Sequence, residues 1–177
     1  MQIHQKIRGK SYNKWKKKAL ERKRKILFIA ESPPLNPENY FYFNDRPYSK
    51  NSLSHYLFSA LGINQNLKDK NIGLNEFIKQ GYFLVDAISF PRFKNKKLFN
   101  KKKQLNDEKN KNFLYKEIRS LNPKNIVIIG CGVYDAISNQ IERQKLVNIR
   151  INFPSRGHQS QFKKDIKKAL KALGKNF

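Results

Sequence analysis

The sequence is poor in thiols and in acid. Its 177 residues include one cysteine, Cys131, and only 13 Asp and Glu. A single thiol excludes a disulfide framework, a cysteine-ligated zinc site and a four-cysteine iron–sulfur cluster within one chain. A reducing, cytoplasmic setting is the expectation, nucleoid-associated in a prokaryote. The three histidines, His4, His55 and His158, are widely scattered, so neither a metal nor another cofactor is expected. No apolar run approaches the ~18 residues that a membrane-spanning helix needs. The basic N-terminus lacks the apolar stretch of a secretory signal. No internal repeat is present, and the length fits one domain with a sizeable core, expected to be monomeric.

Against this scarcity of acid stand 38 Lys and Arg, a formal net charge of +25. Such a balance points to a polyanionic partner, and DNA rewards Lys and Arg through counterion release. Lys, Asn, Ile, Phe and Tyr all have A/T-rich codons, so compositional bias explains part of the charge. Bias of that kind does not suppress Asp and Glu. The basic segments are not strongly amphipathic, which argues against a membrane surface.

Residues 1–25 gather Lys14, Lys16, Lys17, Lys18, Arg22, Lys23, Arg24 and Lys25 around Trp15, and read as a basic arm or helix leading into a domain at 26–177. Four apolar runs read as buried strands, at 26–30, 82–88, 125–130 and 146–152. Between and after them lie helical patterns: one capped by Ser52 and ended by Gly62, then 74–80, 107–121, 133–141 and 158–173. Residues 92–103 read as a basic loop carrying Lys94, Lys96 and Lys97. Strands alternating with helices predict an α/β fold, a three-layer α/β/α sandwich around a central four-stranded parallel sheet.

Ligands of such folds bind beyond the carboxyl ends of the strands, so four segments matter. Glu31, with Ser32, Pro33 and Pro34, follows the first strand; a partly desolvated carboxylate there suits orienting a water or opposing a developing cation, ahead of a cap or an ion pair. Asp86 ends the second strand and needs donors, from a ligand or from loop amides. Gly130-Cys131-Gly132 follows the third strand but lacks the third glycine of a dinucleotide fingerprint. Cys131 reads as a small packed residue rather than a nucleophile. After the fourth strand, Phe153-Pro154-Ser155-Arg156-Gly157-His158 opens a helix whose amides can hold a phosphate, with Arg156 to grip it and His158 to donate to an anion. The aromatic block Tyr40-Phe41-Tyr42-Phe43 offers a stacking face for a base, or packs two of its four members into the core.

At these segments the chain resembles the uracil-DNA glycosylase superfamily. Ile26 to Pro34 is similar to the strand and Gly-Glu-Ala-Pro-type turn that positions the attacking water. Phe83-Leu84-Val85-Asp86 with Pro91 resembles the second strand, whose end reads the base. Pro123 to Gly130 resembles the family's Pro-x-x-apolar-Gly strand. Phe153-Pro154-Ser155 falls where the family has His-Pro-Ser, the loop that enters DNA. The resemblance spans roughly residues 25–174, and its order and spacing carry it. Ala30 stands for the usual glycine, Phe153 for the histidine that steadies the leaving base, and Asp86 where relatives often have Asn. A carboxylate only accepts hydrogen bonds, which fits an exocyclic amine such as that of cytosine.

The resemblance implies a monofunctional DNA glycosylase that excises uracil or a modified pyrimidine, including modified cytosine, and leaves an abasic site, in repair or in defence against modified foreign DNA. Glu31 and His158 are the expected catalytic residues. Ser32, Pro33, Tyr40, Phe41, Tyr42 and Asp86 are expected to bind the base, and Phe153, Pro154, Ser155, Arg156, Lys94, Lys96 and Lys97 the DNA, duplex or single-stranded. Two rivals remain open: a non-catalytic nucleic-acid-binding module on the same fold, and a nucleotide or sugar-phosphate enzyme using the helix N-terminus at 157.

Overall fold

The computed structural model describes all residues except 1, 24–25, 44–51, 64–68, 92–99, 143–145, 156 and 175–177. The expected Lys94, Lys96, Lys97 and Arg156 contacts therefore lie outside the described residues.

The order is α1 (Gln2–Leu20), β1 (Ile26–Ala30), α2 (Leu53–Ala60), α3 (Lys70–Lys79), β2 (Tyr82–Asp86), α4 (Lys101–Asn106), α5 (Glu108–Leu121), β3 (Asn125–Ile129), α6 (Cys131–Glu142), β4 (Val147–Ile151) and α7 (Gln159–Ala172), with a 3-10 turn at Pro37–Asn39. The four strands form one all-parallel sheet in the order β2-β1-β3-β4. Parallel strands need crossovers, and right-handed crossovers put α2 and α3 on one face and α4, α5 and α6 on the other. The contacts agree: α7 packs on α2, while α4 packs on α5 and α6. The result is a three-layer α/β/α sandwich.

The central strands are apolar because both their faces are covered. Every residue of β1 is buried, as are Ile126 to Ile129 of β3. β4 is a sheet edge and is correspondingly less enclosed: Arg150 is exposed and only Ile151 is buried among its described side chains. The basic N-terminal segment is tied to this core. Trp15 and Ala19 of α1 are buried, and Lys18 and Lys14 lie over the Trp15 ring at 4.8 and 5.5 Å.

Local chemistry sets the boundaries. Ser52 caps α2 by accepting from the His55 amide, and Asp107 caps α5 by accepting from the amides of Lys109 and Asn110. α5 ends on Asn122 at φ 43°, a left-handed position that a short amide side chain tolerates. The sequence pattern misses two starts. α3 begins at Lys70, capped by Asp69, because its first turn carries little apolar signal before Leu74. Residues 101–103 belong to α4, not to a loop; Asn100 caps that helix and Leu105 is its only buried residue.

Candidate active site

A parallel sheet ordered β2-β1-β3-β4 changes winding direction between β1 and β3, and the carboxyl ends of those strands part to leave a crevice. Glu31 follows β1 and Gly130 follows β3. A cleft of about 850 Å³ opens there, within the size range of small-ligand sites. It is walled by all four strand-end segments.

The acids enter from adjacent strands. Ala30 and Asp86 are register partners on those strands; Glu31 follows Ala30, and Glu31 and Asp86 both line the cleft. The pairing continues beyond the strands: the Ala87 amide donates to Ala30 O (2.8 Å) and the Ile88 amide to Glu31 O (2.9 Å). The Ser89 amide donates to Asn110 Oδ1 (3.3 Å). The three amides after Asp86 thus already serve other acceptors.

Glu31 is ion-paired with Lys101, the first residue of α4; the Glu31 side chain is 15% exposed and that of Lys101 43%. Gly132 makes room for this lysine, since a Cβ at Gly132 would sit 3.3 Å from Lys101 Cε. Asn110, buried on α5, ties the parts together. Its Oδ1 accepts from Ser89 after β2, and its Nδ2 donates to Gln104 O on α4 at 3.0 Å. The helix that carries Lys101 is thereby fixed to the strand end that carries Asp86.

Much of the remaining wall is apolar and aromatic. Pro33, Pro34, Tyr40, Phe41, Leu53, Leu84 and Ile129 all face the cleft. Ser32 lines it too, as do Phe153, Ser155 and His158 from the segment between β4 and α7. Phe153 is 48% exposed, a large apolar side chain left at the rim. His158 is exposed at the start of α7 and makes no side-chain capping bond.

Several expected residues sit elsewhere or differently. Tyr42 does not line the cleft. It is buried against Phe83, stacked at 5.0 Å, and its hydroxyl serves the backbone of edge strand β2, donating to Leu84 O (2.9 Å) and accepting from Leu84 N (2.8 Å). Unpaired backbone at a sheet edge needs such partners, and tyrosine supplies both roles in one atom. Tyr40, Phe41 and Tyr42 are all buried, so three of the four aromatics pack into the core and only Phe43 is partly exposed. Pro154 is buried and does not line the cleft. Cys131 is not a packed residue. It is exposed at the cleft, and its thiol donates to Asn152 Oδ1 at 3.1 Å.

Sequence reasoning missed Lys101, Asn39 and Asn152 as cleft residues. Lys101 was one lysine among seven basic residues in a run, with nothing local to single it out. Lys70 was missed as well. It is buried, it donates to Tyr40 O at 2.8 Å, and its pKa is lowered to about 7 by desolvation. It braces the aromatic wall from behind. Among the described residues no group of three or more His, Cys, Asp or Glu could hold a metal ion, and no helix is long and apolar enough to cross a membrane.

No family model matches the sequence, and no curated protein matches it either.

Proposed function

We propose that the protein is a DNA glycosylase that hydrolyses the N-glycosidic bond of uracil or a modified pyrimidine. The observation that carries this reading is the convergence of Glu31 and Asp86 on one aromatic-walled cleft at the switch point of a strongly basic α/β protein. A base inside a duplex cannot be reached, so the nucleotide turns out of the stack into the pocket. The cleft has room for it, and Tyr40 and Phe41 give it an apolar face. Asp86 accepts from the base edge, favouring an exocyclic amine. Bond cleavage develops positive charge on the sugar, which the Glu31 carboxylate opposes while it orients water. Exposed Phe153 acts as a wedge in the gap left in the stack. His158 donates to the departing base or a flanking phosphate. Lysines of α1 and of the 92–103 segment bind phosphates without reading sequence.

The test is a panel of oligonucleotides carrying uracil and modified cytosines, single- and double-stranded, scored for abasic sites by alkaline cleavage. One base should be released, and Glu31→Gln should abolish the release. An inactive wild type across the panel would reject the enzymatic reading; a fully active Glu31→Gln variant would reject the residue assignment.

A second reading is favoured by two observations. Glu31 already has a lysine partner, and Phe153 stands where the resembling family keeps a histidine. On that reading the fold is a non-catalytic nucleic-acid-binding module. It predicts salt-sensitive DNA binding with no base release, unchanged by Glu31→Gln.

A further inference from the structure

The C-terminal helix carries a charge pattern that the cleft does not use. α7 buries Phe162, Ile166, Ala169 and Leu170 against the protein. Its other side presents Lys163, Lys164, Lys167, Lys168 and Lys171, all exposed. Its one acid, Asp165, accepts from Gln161 at 2.7 Å. Among the described residues none of the five lysines makes an ion pair. The helix starts beside His158 on the cleft rim.

We infer that this face of α7 is a phosphate track for the nucleic acid whose nucleotide enters the cleft. Lys163, Lys167 and Lys171 repeat every four residues, roughly 6 Å apart along the axis. Their flexible stems can each meet a different phosphate of a backbone bearing one charge per about 3.4 Å on each strand. An anionic membrane fits less well, because the apolar side of α7 is spent on the protein's own core and has nothing to insert. The inference rests on the nucleic-acid partner proposed above, and not on the glycosidic chemistry.

The experiment measures binding of a fluorescent random-sequence DNA duplex, and of anionic lipid vesicles, from 50 to 300 mM salt. It compares wild type, the triple variant Lys163→Gln/Lys167→Gln/Lys171→Gln, and a charge-matched control on α5 and the connection that follows it, Lys109→Gln/Lys116→Gln/Lys124→Gln. The α7 triple should bind DNA roughly tenfold or more weaker at 100 mM salt, with a salt slope shallower by about 2.7. The control should change much less. Equal losses in both triples, or no loss in the α7 triple, would overturn the track while leaving DNA as the partner. A wild type that binds vesicles and not DNA would overturn both. Should the triple melt early, Lys163→Gln/Lys167→Gln carries the same test with a slope change of about 1.8.

Discussion

Two glutamates of this protein hold lysine partners in different settings. Glu117 lies inside the structure, 7% exposed, where α5 meets the N-terminal helix. It accepts from Lys16 Nζ at 2.8 Å and from the Tyr12 hydroxyl at 2.5 Å, so each carboxylate oxygen has a donor from α1. The Tyr12 hydroxyl is correspondingly held well above its usual pKa, by burial first and then by the Glu117 charge. Glu31 pairs with Lys101 at the edge of an open cleft, and that lysine is nearly half exposed. The first carboxylate is enclosed by side chains of the helix it anchors. The second faces space that another molecule can enter. A carboxylate–lysine pair is therefore no signature by itself; what surrounds it separates a clamp from a site.

Glu31→Gln makes the sharpest break in that comparison. It keeps the shape of the side chain and removes the charge that the proposed reaction uses. Base release should fall by about 10²- to 10⁴-fold, while the melting temperature stays within a few degrees, because Lys101 is 43% exposed and regains water when the charge opposite it is removed. A large drop in melting temperature with retained release would make Glu31 a structural clamp like Glu117.

Glu117→Ala should do the reverse. It leaves the partly buried Lys16 and Tyr12 without their acceptor, at a cost of about 2 to 3 kcal/mol in denaturant unfolding. Turnover per folded molecule should be unchanged. Loss of turnover in fully folded protein would show that α1 reports to the cleft.

Much of this architecture was legible. The runs Ile26 to Ala30 and Ile126 to Ile129 could only be enclosed strands, and the cap at Ser52 fixed the start of α2. With alternating strands and helices, the parallel sheet followed, and with it the place where a ligand site would open. Glu31 and Asp86 were legible as an acid after one apolar run and an acid ending another. The neighbours of those acids were not. Lys101 meets Glu31 only because α4 folds back over the strand ends, and α4 has a single buried apolar residue to announce it. Asn110, which holds α4 in place, looked like any polar residue of a helix. Lys70 looked like a surface lysine, since burial of a charged chain leaves no mark in a hydrophobic pattern. Tyr42 was assigned to the cleft because sequence shows an aromatic block but not which backbone lies beneath each ring.

Lys70 extends the comparison to a lysine whose depressed pKa comes from burial. Its folded pKa of about 7 lies below the ordinary 10.5 of an unfolded lysine. Between those values the unfolded chain holds the proton and the folded one does not, so this group makes stability rise with pH. Its penalty is greatest below pH 7 and gone above 10.5. Lys70→Met lacks that dependence. Relative to wild type, the variant should lose roughly 2 kcal/mol as the pH is taken from 7 to 9, measured by parallel urea titrations. Parallel pH profiles would mean that Lys70 stays charged in the folded protein.

The smallest effect tests two neighbours in one aromatic block. Tyr40 and Phe41 turn toward the cleft, while Tyr42 turns to the backbone of β2. Tyr42→Phe keeps the ring stack on Phe83 and removes the hydroxyl, leaving the amide and carbonyl of Leu84 without that partner. Two weakened backbone groups cost about 1 to 2 kcal/mol, and because Leu84 also touches the cleft, a distortion there would appear as a raised KM. The expected result is lower stability with KM and kcat intact. A KM that rises in proportion to the stability loss would mean that the edge of the sheet and the wall of the cleft yield together, and the division between core tyrosine and cleft aromatics would have to be redrawn.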